Sequence, residues 1–439
     1  MIIKGFEATG VFGYLDFKIE FNEDKNFLVG GNGSGKTTAL KLINALITPS
    51  FRELLTTPFK ECSLSLEVHG EDVYIYAFEK DEHIYLNISN CESEVVLPSN
   101  SAIDLFSSRE DRFEELLEDL TREYASNSVI KAISNISSPV FLGLDRRTES
   151  SDSNQNYFLE REMWLSSNRK ELKRARRLIK GSIGASLMEI EMLVKNTYKN
   201  IRDSEIEQSQ KLRNQILVSS FKYQKFKRES FVFEHPDPNE RNKLFKRKNE
   251  IKNALFNIID FDSSVNDEVE TFFRNLNELF DGISSAKGDV NIELLLNKAQ
   301  IERMYKIVDI IDDHKSKNDE YYKPINDFLG TVNRFYEDSG KHLEIDTVGQ
   351  LVVIRPDGNE CTIEGLSSGE RQLLVIFAHS FFNQNNIFII DEPELSLHLG
   401  WQEKLAEAMF SANANSQFIL ATHSPEIIAG NKNKAVGCR

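Results

Sequence analysis

The chain has 439 residues, 40% of them hydrophobic and 28% charged, with 30 Phe and a net charge of −16. Its length exceeds what one core serves and its composition excludes a disordered chain, so two or three packed lobes are expected. No apolar run approaches the ~20 residues that span a bilayer, "MIIKGFEATG" lacks the pattern of a leader, and Cys62, Cys91, Cys361 and Cys438 show no CxxC spacing; the expectation is a cytoplasmic protein with reduced thiols, no membrane segment and no structural metal.

Residues 1–29 alternate apolar and polar positions ("MIIKGFEATG", "LDFKIEF", "NFLV"), which predicts short strands. They lead into "GGNGSGKTT", Gly30–Thr38, which satisfies G-x-x-x-x-G-K-[ST] between a strand and a helix. Backbone N–H groups of such a loop, here Gly31, Asn32, Gly33, Ser34, Gly35 and on to Thr38, can wrap the phosphates of ATP. Lys36 can reach the β and γ oxygens and Thr37 can ligate Mg²⁺. The helix "ALKLINALI" then stops at Thr48-Pro49. Three period-2 segments, "SLSLEVH", "DVYIYAF" and "HIYLNIS", predict an antiparallel sheet, "REDRFEELLEDLTREYA" a helix and "PVFLGLD" a buried strand.

Residues 146–340 turn rich in Lys, Glu, Asn and Leu with helix-like spacing, expected to break at Pro236, Pro238 and Pro324. Heptads are not sustained, which favours a compact helical lobe over a rod. Residues 165–255 hold 22 Lys and Arg against 11 Asp and Glu, a net of +11 on an acidic chain. The clusters are "RKELKRARRLIK", "FKYQKFKR" and "RNKLFKRKNEIK". Three readings fit them: solvated helix faces, a protein ligand such as an effector or phage trigger, or nucleic acid stacking on the interleaved Phe221, Tyr223 and Phe226.

From His342 the strand pattern resumes in "HLEIDT", "QLVVIR" and "ECTIE", followed by a helix in "GERQLLVIFAHSFF". The buried strand "IFII" delivers Asp391, suited to the Mg²⁺ shell, and Glu392, suited to orient or deprotonate an attacking water. A second buried strand, "SQFILAT", ends at His423, whose imidazole could contact a γ-phosphate.

Together these motifs resemble an ABC-type ATPase, and "LSSGERQ", Leu366–Gln372, resembles that family's signature loop. The resemblance implies an α/β fold: a P-loop head made of a mixed sheet with flanking helices and an antiparallel β subdomain, interrupted by a large helical insertion. Residues 1–145 and 341–439 would be the head halves and 146–340 the arm. It further implies a homodimer of heads, in which Lys36, Thr37, Asp391, Glu392 and His423 of one copy meet Ser367, Ser368 and Gly369 of the other around ATP and Mg²⁺. "DEPELSLH" and the insertion point within that family to the SMC, RecF and OLD group, with "ELSLH" resembling the loop that couples the two sites. The group's glutamine loop, expected near "FLGLDRRTE", has no glutamine, leaving Asp145, Arg146 or Gln155 as candidates. OLD nucleases continue into a TOPRIM domain, whereas this sequence ends at Arg439. It therefore resembles the stand-alone ATPases of anti-phage systems, the PARIS ATPase first and the Septu ATPase second, which work with a separate effector, here expected to be a TOPRIM-type nuclease. The alternatives are a DNA-repair or recombination ATPase that clamps DNA, and a nucleotide-gated scaffold with negligible turnover.

Overall fold

Strands β1 (Ile2–Val11), β2 (Leu15–Glu20), β4 (Glu61–Val68), β5 (Glu71–Lys80), β6 (His83–Ile88) and β7 (Val95–Pro98) form an antiparallel sheet in the order β2-β1-β4-β5-β6-β7. Its one-sided alternation has the expected cause. On β5, Val73, Ile75 and Ala77 face the core while Tyr74 and Tyr76 face solvent. The computed structural model describes residues 1–99, 110–143, 182–221, 245–251, 270–275, 277–278, 292–383 and 387–438.

A second sheet has the order β14 (Ala435–Gly437), β3 (Lys25–Val29), β13 (Gln417–Ala421), β12 (Ile387–Asp391) and β8 (Val140–Leu142), with every pair parallel. Parallel strands covered on both faces need apolar side chains at every position, and β12 and β13 are buried throughout. The period of two splits them between two cores. Ile387 and Ile389 join helix α1 (Lys36–Ile47) and the antiparallel sheet, whereas Phe388 and Ile390 pack with helices α7 (Ser368–Phe382) and α8 (Leu399–Ala412). Phe388 and Phe418 stack at 5.0 Å between centroids, and burying each such ring is worth about 1.5–3 kcal/mol. Gln417, buried at the start of β13, bonds both the N–H and C=O of Ile3 at 2.8 Å and thereby joins the two sheets. The fold is thus α/β, with a parallel sheet, antiparallel sheets and a large helical region.

Between these elements lie α2 (Phe51–Thr56), α3 (Glu110–Tyr124) and α4 (Ser128–Ser134). A small sheet of β9 (His342–Ile345), β10 (Leu351–Ile354) and β11 (Glu360–Cys361) precedes α7, and α9 (Pro425–Ile428) follows β13. The chain divides into two units, Met1–Thr197 with Ile325–Arg439, and Tyr198–Pro324. Helices α5 (Ser182–Phe221) and α6 (Ile292–Tyr336) run for 40 and 45 residues. The break expected at Pro324 is absent: the proline lies inside α6. Proline removes one N–H donor at a cost of about 3 kcal/mol, and burial of Ile325, Phe328, Val332 and Phe335 at helical spacing offsets it. The second unit has its own core of Leu212, Ile216, Ile251, Phe273, Ile307 and Ile311.

None of the four cysteines is in a disulfide, and Cys62 and Cys438 are buried. Among the described residues no helix is long and apolar enough to cross a membrane. The glutamine-loop candidates Asp145, Arg146 and Gln155, the breaks at Pro236 and Pro238, and most of the three basic clusters lie outside the described residues. In the described part of the third cluster, Arg247 pairs with Glu250 and Asp312, and Lys248 with Glu270.

Candidate nucleotide site

The carboxyl ends of β3, β13 and β12 lie side by side, since Asp391 is opposite Ala421 and Ala421 opposite Leu28. Three loops therefore emerge together at the edge where parallel α/β sheets bind ligands. The first is Gly30–Gly35, which turns from β3 into α1. Gly35 sits at φ 89°, and a Cβ there would stand 2.7 Å from the Phe17 ring, so no other residue fits. Gly31, Asn32 and Gly33 are exposed, and Thr38 is partly buried on the first turn of α1. The Ser34 hydroxyl is buried with no hydrogen-bond partner among the described residues.

Lys36 is 6% exposed, and its ammonium donates to the carbonyls of Gly30 at 2.9 Å and Gly31 at 3.4 Å. Its third contact is His423 Nε2 at 2.7 Å. A lysine ammonium has no acceptor, so Nε2 accepts and carries no proton in this arrangement. Thr37 Oγ1 donates to Asp391 Oδ2 at 2.7 Å across 354 positions of sequence. Asp391 is 1% exposed. A hydroxyl and a buried carboxylate so close at a strand end are a hard-oxygen pair of the kind that suits Mg²⁺.

Glu392 follows at φ 47°, a left-handed conformation that costs a residue with a Cβ about 1–2 kcal/mol. Its N–H is held by Ala421 O at 2.8 Å, and the next residue's carbonyl, Pro393 O, accepts from Gln372 Nε2 at 2.9 Å. Strain stabilised by its surroundings in this way concentrates at functional sites.

Ser367 caps α7. Its hydroxyl accepts from Glu370 N–H at 3.3 Å, and its own N–H donates to Glu370 Oε2 at 2.6 Å. Burial pushes the Glu370 carboxyl up, but Lys341 at 2.7 Å together with the Ser367 N–H and the Ser339 and Ser367 hydroxyls outweighs that, leaving it below the usual range. Ser367 and Ser368 are exposed at the positive end of the helix, and Gly369 is buried against Ser396 O. Within this chain their hydrogen bonds stay inside the α7 cap. The structure thus brings together Lys36, Thr37, Asp391, Glu392 and His423, and it presents Ser367 and Ser368 as a separate exposed feature.

Three side chains given no role of their own from the sequence hold these loops: Gln372, Gln402 and Glu394. Gln402 Nε2 donates to Leu397 O at 2.7 Å and its Oε1 accepts from Ser424 Oγ at 2.8 Å. Gln372 and Glu394 carried a local signal, as the end of "LSSGERQ" and as the second acid after Asp391 in "DEPE".

A strand, a phosphate-type loop and a strand-end carboxylate bonded to that loop define a P-loop nucleotide-binding ATPase. The chain belongs to the AAA ATPase domain family, whose sequence model matches residues 1–428. It is 31% identical over 203 residues to the Retron Vc95 probable ATPase of Vibrio cholerae serotype O1 biovar El Tor, covering 40% of this chain and 38% of that protein. It is 26% identical over 141 residues to the Retron Ec83 probable ATPase of Escherichia coli, covering 27% and 26%. Endonuclease GajA of Bacillus cereus strain VD045 is 30% identical over 81 residues, 17% of this chain and 14% of that one. The chain thus spans under two fifths of the length of these relatives. Among solved structures, the Smc head domain of Pyrococcus furiosus with an extended coiled coil aligns at a TM-score of 0.41 and 13% identity, over 100% of this chain and 94% of that one.

Proposed function

We propose that the chain binds ATP at Gly30–Thr38 and hydrolyses it between two copies of itself, and that this cycle controls a separate effector, a TOPRIM-type nuclease, in an anti-phage system of the PARIS kind. The observation that carries the ATPase reading is the Thr37–Asp391 hydrogen bond, which fuses the phosphate loop and the acidic strand end into one site. Lys36 is placed to exchange its carbonyl contacts for β and γ phosphate oxygens. The Ser34 hydroxyl and the N–H groups of Gly31, Asn32, Gly33 and Gly35 are further donors for them. Thr37 and Asp391 would hold Mg²⁺, which when bound neutralises charge on the phosphate oxygens. Glu392, next along the loop, is the base that orients and deprotonates water. His423 contacts the γ-phosphate, and Ser367, Ser368 and Gly369 of a second copy complete the site with helix-end donors. The effector reading is supported by kinship to ATPases named for retrons and to an endonuclease, each matched over part of its length.

The test has two arms. Lys36→Ala abolishes ATP binding in a fluorescent-nucleotide titration, and full binding by that variant would remove the site assignment. Co-expression with the neighbouring open reading frame yields a complex whose retention depends on ATP. A complex unaffected by nucleotide, together with salt-dependent DNA binding that stimulates hydrolysis, would favour the DNA-clamp function instead.

A further inference from the structure

Asp391 and Glu392 have tasks in this reading, but Glu394, two residues on, has none. It lies on the loop leaving β12, and its carboxylate reaches across to the turn that leaves β13. Oε1 accepts the backbone N–H of His423 at 2.6 Å and that of Ser424 at 3.1 Å. Oε2 is buried without a hydrogen-bond partner among the described residues, so the work falls to Oε1. A second tie runs beside it, from Ser424 Oγ to Gln402 Oε1 and from Gln402 Nε2 to Leu397 O. The His423 ring is exposed and in contact with Lys36 Nζ. Where an exposed ring points is decided by the main chain that carries it, and that main chain is held by Glu394. One oxygen accepting two consecutive backbone N–H groups fixes the turn at a single point, and it is the reach of that oxygen that sets the turn.

We infer that Glu394 is a positioning residue for His423, fixing the turn after β13 so that the imidazole meets Lys36 and the phosphate bound there. The inference rests on the proposed action of His423 at the γ-phosphate. One short loop then sets the metal acid, the base and the aim of the histidine. Two properties of the carboxylate are separable. Glu394→Gln keeps an oxygen at full reach and loses the charge. Glu394→Asp keeps the charge and withdraws the oxygen by one methylene.

The experiment measures steady-state ATP hydrolysis with Mg²⁺, nucleotide affinity and thermal melting for Glu394→Gln, Glu394→Asp, His423→Ala and the Glu394→Asp/His423→Ala double variant. His423→Ala is expected to lower kcat by about 10²-fold, the size of the loss when one group that stabilises transition-state charge is removed, with nucleotide affinity nearly unchanged. Glu394→Asp should lower kcat by a comparable factor at wild-type affinity and melting temperature, and the double variant should fall no further than His423→Ala. Glu394→Gln should stay within a few-fold of wild type. Multiplicative losses in the double variant, or Glu394→Gln as slow as Glu394→Asp, would overturn the positioning role. Full turnover by His423→Ala would remove the underlying reading of His423, a result distinct from either.

Discussion

Gly369 offers a substitution whose sign is decided by one contact. It lies in the first turn of α7, where alanine would ordinarily raise stability by about 1 kcal/mol through helix propensity. Its backbone is not in the left-handed region, so conformation does not oppose the change. Space does. A Cβ at Gly369 would stand 2.6 Å from Ser396 O, 3.4 Å from the Trp401 ring and 3.6 Å from Leu397. The nearest of these is backbone, in a loop already held at φ 63° at Ser396, and cannot rotate away. Overpacking of this kind costs about 1–3 kcal/mol, which outweighs the propensity gain and leaves Gly369→Ala destabilised by roughly 0–2 kcal/mol. Differential scanning calorimetry of the nucleotide-free protein should show a melting temperature no higher than wild type and lower by up to several degrees. Hydrolysis should fall further than stability does, because Ser396 belongs to the loop that carries Asp391 and Glu392. A rise in melting temperature of the size propensity alone would give, with turnover intact, would refute the claim that α7 is seated on that loop.

Asp391→Asn should raise the Mg²⁺ concentration that half-saturates hydrolysis by roughly tenfold or more, since it keeps shape and removes an anionic ligand; an unchanged magnesium titration would place the metal elsewhere. Ser368→Arg should abolish hydrolysis while single-chain nucleotide binding persists, because Ser368 is exposed and in the proposed dimer meets the nucleotide of the other copy; equal loss of binding would mean that the signature loop acts in cis. Burial lowers His379 from 6.5 to about 4, so between those values the unfolded chain takes up a proton that the folded one refuses. Stability from this group is therefore complete above about pH 6.5 and declines toward pH 4, by an amount on the order of 3 kcal/mol. Urea titrations of His379→Gln should show a flatter pH dependence over that range than wild type, and an equal slope would contradict the assignment.

Legibility in the sequence followed the range of the interactions. Alternation and apolar runs are local, so the β4–β5–β6 meander, α1, α3 and the buried strands β12 and β13 were all visible. The phosphate loop was visible because its glycines answer to local geometry, as the φ of Gly35 shows. The direct Lys36–His423 contact was not, since 387 positions separate the two and nothing periodic links them. The contacts of Gln372, Gln402 and Gln417 were missed for the same reason: a glutamine that ties two distant segments looks in sequence like any polar residue on a helix or strand end. Edge strand β14, three residues long, is too short to carry a pattern. Pro324 misled because its local penalty is real, and only the buried stripe that follows it shows which effect wins.

The central claim is that ATP is hydrolysed in a site shared by two copies, with Glu392 as base. Analytical ultracentrifugation of Glu392→Gln with MgATP, with turnover measured on the same sample, tests it most directly. A neutral amide keeps the shape and loses the base, so the account predicts retained ATP, a stable dimer and turnover reduced by about 10²- to 10⁴-fold. Wild-type turnover by Glu392→Gln, or full hydrolysis by a species that stays monomeric with ATP bound, would contradict it.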